Sequence, residues 1–186
     1  MKQIRERTFE TNSSSTHSVA IHGQSNPPMY EFTLGAYIDP ADHYIHMKFG
    51  KFGWGYDEYE DDYTKLQYLL TMIAETASKD RFSPKFTNVD EFYNLDDFIL
   101  LESIVCENIE GCKGLCIASE ITDKTYDDIV DKDGNKYHSL DFDGYIDHQS
   151  CEDYNCLADF LEDWDLTIEE FLFNPQVQLI IDNDNN

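Results

Sequence analysis

The segment Asn12-Ser13-Ser14-Ser15-Thr16-His17-Ser18 places six hydroxyl or amide side chains and one imidazole within seven residues. A turn of this composition can present hydroxyls and backbone N–H groups as a nest for an anion, with His17 as general base or charge-assisted donor. Lys2, Arg5, Arg7 and His22 lie close in sequence, which gives this stretch a positive balance. The competing reading is a hairpin turn in which Ser and Asn side chains bond their own backbone. The string lacks the spacing of a nucleophile elbow. The anion-binding candidates are therefore Ser13, Ser14, Ser15, Thr16 and His17, with His17 the one catalytic candidate.

Cys112-x3-Cys116, bracketed by Gly111 and Gly114, has the form of half a metal knuckle. His148-x2-Cys151-x4-Cys156 offers the other half, and tetrahedral zinc takes four such ligands. The spacing is loose, and cysteine is also among the most buried residue types, so the base expectation is no metal. Asp131-x-Asp133-x-Asn135 mimics the start of a calcium loop. The sixth position, however, is Lys136 where glycine is required, and the twelfth is Phe142 where a bidentate glutamate is required. A hairpin turn centred on Asp133-Gly134 accounts for the same residues. His43 and His46, three apart in a strand-like run, read as ordinary strand or surface residues.

Acidity is the largest departure from an average composition. The 186 residues carry 13 Lys+Arg against 38 Asp+Glu, a net charge of -25. Residues 1–85 hold 9 basic and 12 acidic side chains, and residues 86–186 hold 4 and 26, so the charge belongs to the second part. Such a field repels nucleic acid and anionic membranes, which excludes direct binding to either as the main activity. Carboxylates recurring at helix or strand spacings, about 5–7 Å, match neighbouring phosphates on a nucleic-acid strand. Asp127, Asp128, Asp131, Asp133, Asp141, Asp143 and Asp147 are the candidate contacts, with Tyr126, Tyr137, Tyr145 and Tyr154 interleaved. The alternative is an acidic surface kept for solubility.

The elements that must hold these groups follow from periodicity. Residues 4–9 and 18–21 alternate like two strands around the polar turn, and 29–34 and 44–49 look like further strands. Tyr59, Tyr63, Leu66, Leu70, Ile73 and Ala77 mark one face of a helix. Asp96 to Ile109 predicts a second helix, apolar over a wide arc and therefore central. Leu157, Phe160, Leu161 and Trp164 predict a third, capped near Ser150, and a short helix spans Thr167 to Phe173. Val177 to Ile181 predicts a last strand. Twelve Phe, twelve Tyr and two Trp supply a core. The expectation is one α+β domain over 1–186, an antiparallel sheet with about three main helices packed on it.

Phe9-Glu10-Thr11-Asn12-Ser13-Ser14-Ser15-Thr16-His17-Ser18, with Gly50-Lys51-Phe52-Gly53-Trp54 and Phe171-Leu172-Phe173-Asn174-Pro175, resembles a group of uncharacterised proteins from low-GC Gram-positive bacteria and their phages. The resemblance implies a phage or mobile-element context and carries over no functional residue. The start shows charges without a following apolar h-region, and no apolar run approaches the ~18–20 residues that span a bilayer. A cytoplasmic protein follows as the expectation, its five cysteines an odd count suited to a reducing compartment. The functional expectation is a non-enzymatic acidic accessory protein that binds a basic protein surface, as a nucleic-acid mimic inhibiting a host nuclease or other defence protein. The alternative is an enzyme or ligand-binding protein acting on a phosphorylated small molecule or nucleotide at residues 13–18.

Overall fold

The computed structural model describes residues 15–21, 33–53, 57–147 and 154–183. The class is α+β. Helix α1, Asp62–Ser78, begins where the Asp61 side chain accepts a hydrogen bond from the Thr64 backbone N–H at 2.7 Å. That bond satisfies one of the orphan donors at the helix N-terminus. Leu66, Tyr68, Leu69, Leu70, Met72, Ile73, Ala74 and Ala77 are all buried, so α1 is covered on nearly every side. The buried hydroxyls of Thr71 and Thr76 return hydrogen bonds to the Gln67 and Met72 carbonyls, which removes their desolvation cost.

Helix α2, Val89–Phe92, is a single turn, and α3 spans Asp96–Asn108. Only Phe98, Leu101 and Val105 of α3 are buried, while Ile99 and Leu100 remain 50% and 52% exposed. The central helix is therefore α1 and not α3. Four consecutive apolar residues, Phe98 to Leu101, cover more of the circumference than one buried stripe holds, so two of them face outward. Helix α4, Leu157–Asp163, and α5, Ile168–Phe173, complete the set. Cys156, not Ser150, occupies the α4 cap position, without a side-chain capping bond. Thr167 and Glu170 form a reciprocal capping box on α5.

Strands β1, Ser15–Ile21, and β4, Asp57–Tyr59, both pair antiparallel with β9, Val177–Asn183, which lies between them. Val19 faces Leu179 in the register, and Val177, Leu179 and Ile181 are buried at alternate positions. Ser15 to Ser18 thus belong to a paired strand and not to a turn. Residues 4–9, Ser13 and Ser14 lie outside the described residues, as do 29–32 of the strand expected over 29–34. Leu34 instead opens a one-turn 3-10 helix, Leu34–Tyr37.

Two further pairs are parallel: β2, Tyr44–Met47, with β5, Gly114–Ile117, and β3, Lys51–Phe52, with β8, Tyr145–Ile146. Parallel neighbours need a long crossover, and the chain from α1 to α3 supplies it between β2 and β5. Strands β6, Ile121–Val130, and β7, Lys136–Phe142, form a separate two-stranded antiparallel ribbon.

One contiguous core runs from Val19 to Ile181. Phe92 sits inside it, its ring 5.5 Å from Phe49, 5.3 Å from Phe86 and 5.2 Å from Phe98, each meeting it edge-on. Gly144 marks the tightest backbone approach. A Cβ there would lie 2.3 Å from Phe49 Cβ and 2.8 Å from the Gly50 carbonyl oxygen. Gly144→Ala is therefore expected to cost about 1–3 kcal/mol through overpacking. A lower denaturation midpoint at unchanged slope is the readout.

Candidate binding surface

The β6–β7 ribbon is built from alternation and one turn. Ile121 pairs with Phe142, Asp123 with Leu140, Thr125 with His138 and Tyr126 with Tyr137, followed by a bulge before Val130 meets Lys136. Ile121, Leu140 and Phe142 are partly buried against the core, so the base of the ribbon is anchored there. The His138 backbone N–H donates to the Arg81 carbonyl at 2.6 Å, and Tyr137 meets Phe82 edge-on at 5.6 Å. Past these anchors the ribbon is exposed, including Tyr126 at 41%, Ile129 at 49% and Val130 at 55%. An open notch of about 540 Å³ separates it from the Asp80–Ser83 loop.

The turn is set by Asp131. One carboxylate oxygen accepts from the Asp133 and Asn135 backbone N–H groups, both at 2.8 Å, and the other from the Asn135 side chain at 2.8 Å. Gly134, at φ +86°, takes the left-handed position that the reversal requires. These bonds, the Asn135 side chain foremost, hold the Asp131 carboxyl below its ordinary range. Lys136 hydrogen-bonds Asp127 and holds that carboxyl low as well.

The seven candidate aspartates divide into four situations, Asp131 being held within the turn by Asp133 and Asn135. Asp127, Asp141 and Asp143 are ion-paired, to Lys136, Lys124 and Lys51. Asp128 and Asp133 are exposed, with no side-chain partner among the described residues. Asp147 is only 4% exposed, beneath the surface because its backbone closes onto Phe52 beside β8, so it cannot serve as a contact. Exposed pairs of this kind contribute little to stability, and a cationic partner can compete for their carboxylates.

A second acidic locus lies in the part of the chain with little net charge. Glu58, Glu60, Asp61 and Asp62 line a cavity of about 440 Å³ together with Thr33, Lys65 and Gln178. Glu58 and Glu60 both accept from the Gln178 side-chain amide, and Asp62 accepts from Thr33 Oγ1 and from the Leu34 N–H. Lys65 Nζ donates to the Val177 carbonyl at 3.3 Å. Summing charge over half the chain hid this locus, but the run Asp57-Glu58-Tyr59-Glu60-Asp61-Asp62 is its signal in the sequence.

The other candidates disperse. His17 is in β1, where its backbone pairs with Ile181. Cys112 faces Cys106 across 3.8 Å, Cys116 sits beside Tyr93, and Cys156 lies next to Asp159. Cys151 and His148 are outside the described residues. Among the described residues the thiols therefore do not gather into a four-ligand set.

The group Asp39, Asp42 and His46 does bring three ligand-type atoms within 4.8 Å. His46 Nε2 lies 2.9 Å from Asp42 Oδ2 and 3.9 Å from Asp39 Oδ2. Each aspartate spends its other oxygen on a backbone N–H, of Ala41 or Tyr44, which shapes the loop entering β2. The Tyr44 N–H is the main reason the Asp42 carboxyl lies below its ordinary range. No described helix is long and apolar enough to cross a membrane. Comparison with family models, with curated proteins and with solved structures finds no match to this chain.

Proposed function

We propose that this chain is a non-enzymatic binding protein whose β6–β7 ribbon docks on a basic protein surface in the way a nucleic-acid strand would. The observation that carries the reading is the ribbon tip. There Asp128 and Asp133, exposed and without side-chain partners among the described residues, flank exposed Tyr126, Ile129 and Val130. Aromatic and aliphatic groups supply contact area, and the carboxylates supply complementarity to lysine and arginine. A net charge of -25 adds long-range attraction toward a basic partner and speeds encounter. The resemblance of residues 9–18 to proteins of bacteria and their phages supports an accessory role against a host nuclease or other defence protein, in the cytoplasm. Residues 15–18 of the alternative reading lie within a paired strand.

The test is charge reversal on the tip. The immobilised chain is offered host lysate at low salt, and retained basic nucleic-acid-binding proteins are identified and competed with DNA. The triple variant Asp127→Lys, Asp128→Lys, Asp133→Lys is expected to weaken capture of that protein at least about 100-fold, since several interfacial charge pairs become repulsive. Its circular dichroism is expected to match the parent. Undiminished capture at low salt by a folded variant would discard the ribbon as the contact.

A further inference from the structure

Cys106, in the last turn of α3, and Cys112, just beyond Gly111, bring their Sγ atoms to 3.8 Å. Both side chains are partly exposed, so a small solute can reach them. A disulfide needs the sulfurs at about 2.05 Å, which leaves a closing movement of about 1.8 Å. The intervening chain can supply it. Gly111 is at φ +86° with open space where a Cβ would be, and the Cys112 backbone N–H bonds the Ile109 carbonyl at 3.1 Å. Sequence spacing had set Cys112 with Cys116, but the fold turns Cys112 toward α3 and leaves Cys116 on β5 beside Tyr93.

We infer that Cys106 and Cys112 form a reversible dithiol–disulfide pair that takes a hydroperoxide as oxidant. The Cys106 S–H donates toward Cys112 Sγ, and the Cys112 S–H in turn points to the Gly114 carbonyl at 3.5 Å. Burial, reinforced by the neighbouring sulfur and by Glu102, pushes the Cys106 thiol up to about 12, so Cys106 keeps its proton until the second step. Attack then falls to Cys112. Its thiolate attacks one peroxide oxygen; the S–O bond forms, the O–O bond breaks, and the departing alkoxide or hydroxide takes a proton from solvent. The product is a sulfenic acid at Cys112. Cys106 sulfur then attacks that sulfur, the S–O bond breaks, and the leaving hydroxide combines with the Cys106 proton as water. Two thiols are oxidised and one hydroperoxide is reduced to an alcohol or water. The new bond fastens the end of α3 to the start of β5, and a dithiol reductant reverses it.

The full chain is treated with hydrogen peroxide, its remaining thiols are alkylated, and its peptides are weighed. The expected result is a peptide pair joined through Cys106 and Cys112, two hydrogens lighter, released by dithiothreitol, with three of the five cysteines still alkylated. Cys106→Ser is expected to halt at a Cys112 sulfenic acid that dimedone traps, and Cys112→Ser to leave Cys106 reduced at the same dose. Either of two results overturns the inference: Cys106 and Cys112 both alkylated at doses that oxidise the other cysteines, or Cys112 joined to another partner.

Discussion

Phe92→Ala is expected to remove about 3–5 kcal/mol of stability, the range for emptying a large aromatic site in a well-packed core. Phe92 is fully buried and meets Phe49, Phe86 and Phe98 edge-on. Phe49 comes from the chain after β2, Phe86 from the chain after α1, and Phe98 from α3, so one ring fastens three segments. The cavity left behind cannot be filled from within α2, which is only four residues long. Against a total of about 5–15 kcal/mol for an ordinary domain, the variant should sit close to its unfolding threshold. Leu100→Ala, at a half-exposed position on α3, should cost well under half as much. Guanidinium unfolding of both variants decides the matter, and equal losses would show that the aromatic junction carries no special weight.

Lys65→Met is expected to change the pH dependence of stability by about 3 kcal/mol. Lys65 is 1% exposed, and burial pushes its amine down to about 8 although Asp62, Asp61 and Glu60 pull it upward. In the unfolded chain lysine titrates near 10.4. Below pH 8 both states hold the proton, and the folded protein bears the full cost of the buried charge. Between about 8 and 10.4 the unfolded state binds more protons, so this group's contribution to stability rises with pH. Near 2.4 pH units of difference correspond to about 3 kcal/mol. The wild-type chain should therefore gain that amount relative to Lys65→Met between pH 7 and pH 11, groups common to both cancelling in the comparison. Near neutral pH the methionine variant is expected to equal or exceed wild type, since apolar replacement of a buried charge is often neutral or stabilising. A difference independent of pH would mean that Lys65 is charged and solvated in the folded protein.

What the sequence made legible was local. Apolar residues spaced by three and four located α1 and α4, a wide apolar arc over Asp96 to Ile109 located α3, and α5 falls within the short helix expected over Thr167 to Phe173. Asp131, Asp133 and Gly134 marked the ribbon turn because the signal is an aspartate bonding backbone two to four residues on. Long-range facts were not legible. Parallel pairing of residues 44–47 with 114–117 depends on how three helices return the chain, which no window of sequence contains. Of the candidate contacts, residue type identified the carboxylates but not their neighbours. Lys51 reaches Asp143 from ninety-two positions away, and Asp147 is buried although its composition reads as surface. Cys106 escaped notice because it lies inside a helix, where a thiol passes for a small apolar residue. The acidic run at 57–62 escaped because its charge was averaged with the lysines and arginines of its half.

The sheet order β1–β9–β4 bears on how the molecule comes into being. During synthesis, residues 15–21 and 57–59 leave the ribosome early, yet the strand both of them pair with is residues 177–183. Until that segment emerges, two strand edges stay open, one of them carrying Val19 and Ala20, which end up buried in the finished sheet. The interval exposes them to wrong partners, the situation in which cells rely on chaperones. It also makes the late-arriving strand a clasp: a chain cut before residue 177 loses the sheet at both ends of the sequence at once.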